Sequence, residues 1–465
     1  MNKGWSDIAS LHAAYKTKKV TPVAVTQYYL DRIARYNPKL NAFLTVTADL
    51  ALKTAKKLKI ADIDKLPLFG VPVAFKDIFM TRDIKTTAGS KVLANYIGQY
   101  DATVVKKYLA AGAIVLGKLN CDAWAHGSSG ENSDFGPTRN PWNTDYVPGG
   151  SSSGSAVAVS ADLCMITGGT DTGGSIRCPA SFTSTVGLKP TYGRVSRYGI
   201  IAMSSSLDSV GHFGASVADV ARTLEVTAGK DALDATCSCR TVDKYSEFSK
   251  KDLQDLKIGL PKEYFSNDSE VSAAVKNSIA EFKKLGAKIV EVSLPHSPEA
   301  LACYYIIQPA EVSSNLARFD GIRFGATRGL FGAEVKRRII LGTFTLSTGY
   351  YEAYYQTAQK VRNLVTKDFD TVFKNVDLLL APVMPHLPYK IGAKIADPLQ
   401  LYLEDVLTVP VNLAGLPAIS LPAGFSNNLP IGIQIIGPKF SEKIILDAAH
   451  LFESATPWHH VQPTL

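Results

Sequence analysis

Two clusters of glycine and serine constrain this chain more than any other feature. "VPGGSSSGSA" (147–156) and "GGTDTGGSIR" (168–177) are joined by the apolar run "VAVSADLCMIT". A flexible linker has no use for an apolar segment at its centre. Glycine is dense where a backbone must adopt unusual angles or approach another group closely. Consecutive Thr172, Gly173, Gly174 and Ser175 can turn several backbone N–H groups toward one point. That arrangement suits an oxyanion hole, with Ser175 on the same loop as a nucleophile. The same residues also suit a tight turn capped by a serine.

Two motif templates come near these stretches and fail. "GAIVLGKL" (112–119) has the glycine and lysine spacing of a phosphate-binding loop, but Leu119 stands where a magnesium-binding Ser or Thr is required. Gly150–Gly154 fits G-x-S-x-G, yet the preceding "NPWNTDYVPGG" is polar and loop-like, whereas a nucleophile elbow follows a core strand. The downstream histidines His386, His450, His459 and His460 have no distinctive setting for a base. A lysine can serve instead. Lys76 in "GVPVAFKDIF" follows a fully apolar strand pattern, where a charge is out of place unless it is paired or neutralised.

Helical patterns alternate with short β-rich runs. Thr21-Pro22 opens an amphipathic helix, Asp101 opens one that ends at Gly112, and Asp268 or Ser269 opens a third that stops at Gly286. Strands are expected at 71–75, 113–116, 164–167, 257–260, 287–294, 377–382, 418–422 and 431–437. This is an α/β chain, most economically one large mixed sheet with helices on both faces. The polar stretch 229–256 is the softest internal division.

Bulk properties exclude several classes. With 465 residues, 46% of them hydrophobic, the chain can bury a large core, and no apolar run reaches the roughly 18 residues of a membrane span. The opening residues lack the core of a signal peptide, so the expected location is the cytoplasm. The six cysteines, Cys121, Cys164, Cys178, Cys237, Cys239 and Cys303, form neither a disulfide framework nor a zinc pattern. A net charge of +8 spread over this length permits contact with nucleic acid without predicting it.

Taken together, Lys76, the two clusters and the flanks from "TPVAVTQYYLDRI" to "PIGIQIIG" resemble the amidase signature family. The resemblance implies a single amidase domain over 1–465. It also implies a Ser–cis-Ser–Lys triad, with Ser175 as nucleophile, Ser151 as the bridging serine in a cis peptide and Lys76 as base. Thr172, Gly173 and Gly174 become the oxyanion donors. "KPTYGRVSRYGIIAMSSSLDSVG", "SSNLARFDGIRFG", "EVKRRIILGTFTLSTGYY" and "TVPVNLAGLPAISLP" are similar to a glutaminase branch of that family. Members of the branch release ammonia from glutamine for a partner that amidates a misacylated tRNA. The implied assembly is a heterotrimer with two other subunits, with ATP and magnesium at a partner and no cofactor in this chain. Arg338 and Asp405 match the branch's candidates for the glutamine α-carboxylate and α-ammonium, with Ser129 and Tyr305 beside them. The competing readings are a freestanding amidase of small amides and a catalytically silent scaffold of the assembly.

Three positions and one connection depart from the family pattern: Ser153 stands for glycine, Gly130 for threonine and His212 for proline, and the connection around 325–331, "GATRGLFG", is short. The short connection bears on the local docking surface and the pocket lid, and none of the departures removes a triad member.

Overall fold

Alternate residues of one short strand show where the core lies. Leu378 and Leu380 belong to one buried apolar cluster, Leu379 to another. A strand points successive side chains to opposite faces, so its sheet is covered on both sides. The computed structural model describes residues 5–265, 270–394 and 397–465.

The sheet has 11 strands: β1 Phe43–Val46, β2 Pro72–Lys76, β3 Ile114–Leu119, β4 Ile166–Asp171, β5 Val186–Lys189, β6 Ser209–Gly214, β7 Lys257–Pro261, β8 Lys288–Val292, β9 Leu378–Pro382, β10 Ala418–Ser426 and β11 Leu429–Ile436. Their order is β1-β3-β2-β4-β6-β5-β10-β11-β9-β7-β8. β2 runs parallel to β3 and β4, and β7 parallel to β8 and β9, while the remaining pairs are antiparallel. The sheet is therefore mixed, and it draws strands from both sides of 229–256. That stretch is pinned to the body by Arg194, which donates to the Arg240 and Thr241 carbonyls, and by Lys443, which donates to the Glu247 carbonyl.

Most expected elements are present. The helix Pro22–Leu40 has proline in its first turn and is capped by Thr21, whose Oγ1 accepts from the Ala24 N–H at 3.2 Å. The helix Thr103–Ala110 starts later than expected because Asp101 accepts from the Arg82 N–H instead of capping it. The third is Ser272–Lys284; its expected opening at Asp268 or Ser269 lies outside the described residues.

Strand β4 differs from its expected bounds of 164–167, running on through Gly168 and Gly169 to Asp171. These glycines are strand residues because neighbours fill their side-chain space. A Cβ on Gly168 would lie 2.9 Å from Phe75, and one on Gly169 2.7 Å from Phe213. β1, β5 and β6 were not expected, being four-residue runs or, in β6, broken by glycine. Among the described residues no helix is long and apolar enough to cross a membrane.

Candidate active site

Lys76 ends β2, between two parallel neighbours, and its side chain is fully buried. Its Nζ donates to Ser151 Oγ at 2.7 Å and to Thr170 Oγ1 at 3.0 Å. Burial pulls its pKa down to about 8, against the opposing pull of Cys121, Asp122, Asp208 and Asp171. The lysine expected to be neutralised or paired is thus both desolvated and hydrogen-bonded.

The Gly150–Ser151 peptide is cis. Gly150 admits no side chain, since a Cβ would collide with Asp122 Oδ2. The next residue ties the two glycine clusters together: Ser152 N–H donates to the Ser175 carbonyl at 3.3 Å, and Ser152 Oγ to the Thr170 carbonyl at 3.1 Å. Lys76 and Ser151 are 0% exposed and Ser175 9%, so Ser175 is the most accessible of the three. The helix Ser153–Ser160 and strand β4 hold the clusters at this distance.

A buried polar network that was not foreseen underlies the Ser175 loop. Arg177 grips Asp171 with Nε and Nη2, both at 3.1 Å, and donates to Gln434 Oε1 at 2.9 Å; Asn412 Nδ2 donates to Asp171 at 2.8 Å. Burial alone would raise the Asp171 carboxyl, but Arg177 holds it well below the usual carboxylate range. The Asp171 carboxylate also accepts the N–H groups of Gly174, Ile176 and Arg177 at 2.9, 3.2 and 3.3 Å.

One expectation is corrected here. Gly174, with φ of +134°, turns its N–H back onto Asp171, so this amide is already engaged and does not stand free for an oxyanion. Of the three expected donors, Thr172 and Gly173 remain. Both loop glycines are sterically required. A Cβ on Gly173 would lie 2.7 Å from Tyr304 Oη, and one on Gly174 would collide with Thr408 Oγ1.

The four amino-acid pocket candidates are buried or partly so, and three of them form one cluster. Tyr305 Oη donates to Asp405 Oδ2 at 2.7 Å. The Arg338 guanidinium lies 4.6 Å from the ring centres of both Tyr305 and Tyr402, which stack 4.0 Å apart. Arg338 Nε donates to Glu334 at 2.6 Å and Nη1 to Gln308 Oε1 at 2.7 Å. Arg338 and Asp405 are joined through Tyr305, not paired with each other. Burial raises the Asp405 pKa to about 7. Ser129 sits on a loop wrapped around Asp122, which accepts from Gly130 and Asn132; Ser128 Oγ donates to the Leu401 carbonyl at 3.3 Å, tying that loop to the Tyr402–Asp405 segment.

Tyr402, Glu334, Gln308 and Tyr304 were missed in the sequence. Glu334 carried a usable signal, standing four residues before Arg338 on the helix Ala333–Thr345. His126 was also missed. It is buried, its Nδ1 faces the Ala123 carbonyl at 3.3 Å, and its Nε2 has no hydrogen-bond partner among the described residues. Burial first, then Arg338, lowers its pKa to about 3.

The positions where the resemblance implies other residues are structurally accommodated. His212 is a buried residue with both ring nitrogens in hydrogen bonds, to Tyr108 at 2.9 Å and Thr227 at 2.7 Å. Flanking the short connection, Phe319 and Phe331 close on Trp124, with ring centres 4.5 and 5.5 Å away. A cavity of about 180 Å³ touches Thr170, Arg197 and Asp208 beside the site. A larger one of about 600 Å³, bounded by Trp5, Tyr28, Asp219 and Glu453, includes none of the site residues.

An α/β fold with a buried lysine hydrogen-bonded to a serine beneath a glycine-rich loop defines a class. The chain belongs to the amidase family, whose model, described as Amidase, matches residues 24–446. Within it, the chain is 52% identical to the A-subunit of glutamyl-tRNA(Gln) amidotransferase from Trichlorobacter lovleyi, with 97% of each chain covered. It is 48% identical to the protein of that name in Methylococcus capsulatus, with 98% of each covered. The crystal structure of the corresponding glutamyl-tRNA(Gln) amidotransferase chain from Thermotoga maritima superposes with a TM-score of 0.82 at 44% identity, over 93% of this chain and 91% of that one. A peptide amidase bound to the competitive inhibitor chymostatin gives a TM-score of 0.87 at 29% identity, over 100% of both chains.

Proposed function

We propose that this chain is the glutamine-hydrolysing subunit of a tRNA-dependent amidotransferase. Ser175 is the nucleophile, Ser151 the proton relay and Lys76 the base. The observation that carries this reading is the Lys76–Ser151 hydrogen bond, made by a buried lysine whose lowered pKa keeps a useful fraction neutral near pH 7. An unperturbed lysine would be neutral in only about one molecule per 10³.

The Lys76–Ser151 pair supports the following cycle. Neutral Lys76 takes the Ser151 hydroxyl proton while Ser151 takes that of Ser175, and Ser175 Oγ bonds to the side-chain carboxamide carbon of glutamine. The N–H groups of Thr172 and Gly173 stabilise the oxyanion. Collapse breaks the C–N bond, the relay returns its proton to the departing nitrogen, and ammonia leaves. Water then cleaves the γ-glutamyl ester by the same relay, giving glutamate and free Ser175. Arg338 holds the substrate α-carboxylate, and Asp405, ionised above about pH 7, meets the α-ammonium.

Ammonia passes to a partner, which activates Glu-tRNA(Gln) or Asp-tRNA(Asn) with ATP and magnesium in the cytoplasm. The assembly is a heterotrimer, and tRNA is bound mainly by that partner. The test uses the chain purified with its accompanying subunits and an electrophilic glutamine analogue, followed by peptide mapping. The expected adduct is on Ser175, blocked by excess glutamine and lost in Lys76→Ala. An unmodified Ser175 in a complex that leaves glutamine intact would sink the glutaminase assignment.

A further inference from the structure

The helix Ser297–Leu316 meets the helix Ala333–Thr345 so closely that a Cβ on Gly342 would collide with the Pro309 carbonyl. That contact brings Gln308 within reach of Arg338, and Gln308 is completely buried. A guanidinium has donors and no acceptor. The Gln308 group facing Arg338 Nη1 at 2.7 Å must therefore be the carbonyl oxygen, which settles the orientation of the amide. Its Nε2 is left buried with no hydrogen-bond partner among the described residues.

An amide nitrogen stranded this way is unfavourable unless something accepts from it. On the guanidinium, Nε is engaged by Glu334 and Nη1 by Gln308, while Nη2 makes no hydrogen bond among the described residues. Two adjoining groups thus offer open N–H donors, one cationic and one neutral. A carboxylate has two oxygens to receive them. Glu334 already pairs with Arg338, and also with Arg337, before substrate arrives; a second, neutral donor adds affinity for a carboxylate without another buried cation.

We propose that Gln308 is a specificity residue of the amide-hydrolysing site, its Nε2 sharing the α-carboxylate of glutamine with Arg338. This rests on the glutaminase reading above. It assigns Gln308 a role separate from holding Arg338 through its oxygen.

The test compares Gln308→Met and Gln308→Glu in the full chain purified with its partner subunits. Glutamine is set against 4-aminobutanamide, which lacks the α-carboxylate. Gln308→Met is expected to lower the ratio of kcat/KM for glutamine to that for 4-aminobutanamide by about tenfold, the weight of one hydrogen bond to a charged group. Gln308→Glu keeps an oxygen for Arg338 but presents a negative charge to the substrate carboxylate, so the ratio is expected to fall about a hundredfold. If Gln308→Glu retains the wild-type ratio, or is better than Gln308→Met, Gln308 serves only to hold Arg338 and the proposal fails. Arg338→Ala separates the two levels. A collapse of that ratio in Arg338→Ala, with none in the Gln308 variants, overturns this proposal alone. Unchanged glutamine turnover in Arg338→Ala overturns the glutamine pocket itself.

Discussion

Gly130 and Ser153 fit each other: a Cβ on Gly130 would lie 2.7 Å from the Cβ of Ser153 and 3.2 Å from its Oγ. Ser153 in turn donates to Thr138 Oγ1 at 3.0 Å. The family resemblance implies threonine at the first of these positions and glycine at the second. The smaller residue, on a loop, makes room for the larger at the start of a helix 23 positions on.

Gly130→Thr is therefore expected to destabilise the chain by about 2 kcal/mol, because it overpacks the contact and places a β-branched residue at φ of +85°. Adding Ser153→Gly should recover the steric part and leave the backbone part. Urea unfolding of both single variants and the double variant measures the coupling. Simple additivity would show that the contact does not link the two positions.

Lys76→Met is expected to lower glutamine hydrolysis by about 10³-fold or more, within the range by which a positioned base accelerates a reaction. Mass spectrometry should then find no acyl adduct on Ser175. A variant that still forms the adduct at the wild-type rate would place the base elsewhere.

The pH profile has a definite sign. Lys76 works as the neutral base, and its pKa is lowered to about 8, so its active fraction grows about tenfold per pH unit below that point. Asp405 is ionised above about 7. The value of kcat/KM for glutamine should climb from pH 6, with slope near 2 below about 7 and near 1 from there to about 8, then level off. A profile that falls between pH 6 and 8 contradicts a neutral lysine base.

Asp171→Asn leaves Arg177 buried without its counter-ion and loosens the loop that carries Ser175. A loss of about 3–5 kcal/mol of stability is expected from breaking a buried ion pair at one partner. Calorimetry measures it. Removing both charges in Asp171→Asn with Arg177→Met should be milder than the single change.

Local chemistry made part of this legible. A lysine closing the apolar run "VPVAF" is anomalous in its own ten residues, and the two glycine clusters mark close backbone approach wherever they fold. Strand alternation and the Thr21-Pro22 cap likewise depend only on neighbours in the chain. From such patterns the α/β class, Lys76, Ser151 and Ser175 follow once the family resemblance is added.

Tertiary structure alone decided the rest. Arg177 and Gln434 meet across 257 residues, Asp171 and Asn412 across 241, and Gln308 and Arg338 across 30. No periodicity or spacing records such contacts, because they arise when the sheet closes and helices pack. Even the direction of the Gly174 N–H was decided there. Its sequence allows an oxyanion donor, but a carboxylate three residues earlier, fixed by Arg177, takes that hydrogen first. Short-range steric rules determine which backbone shapes a segment can adopt, and only the packed fold determines which polar groups are left over for a substrate.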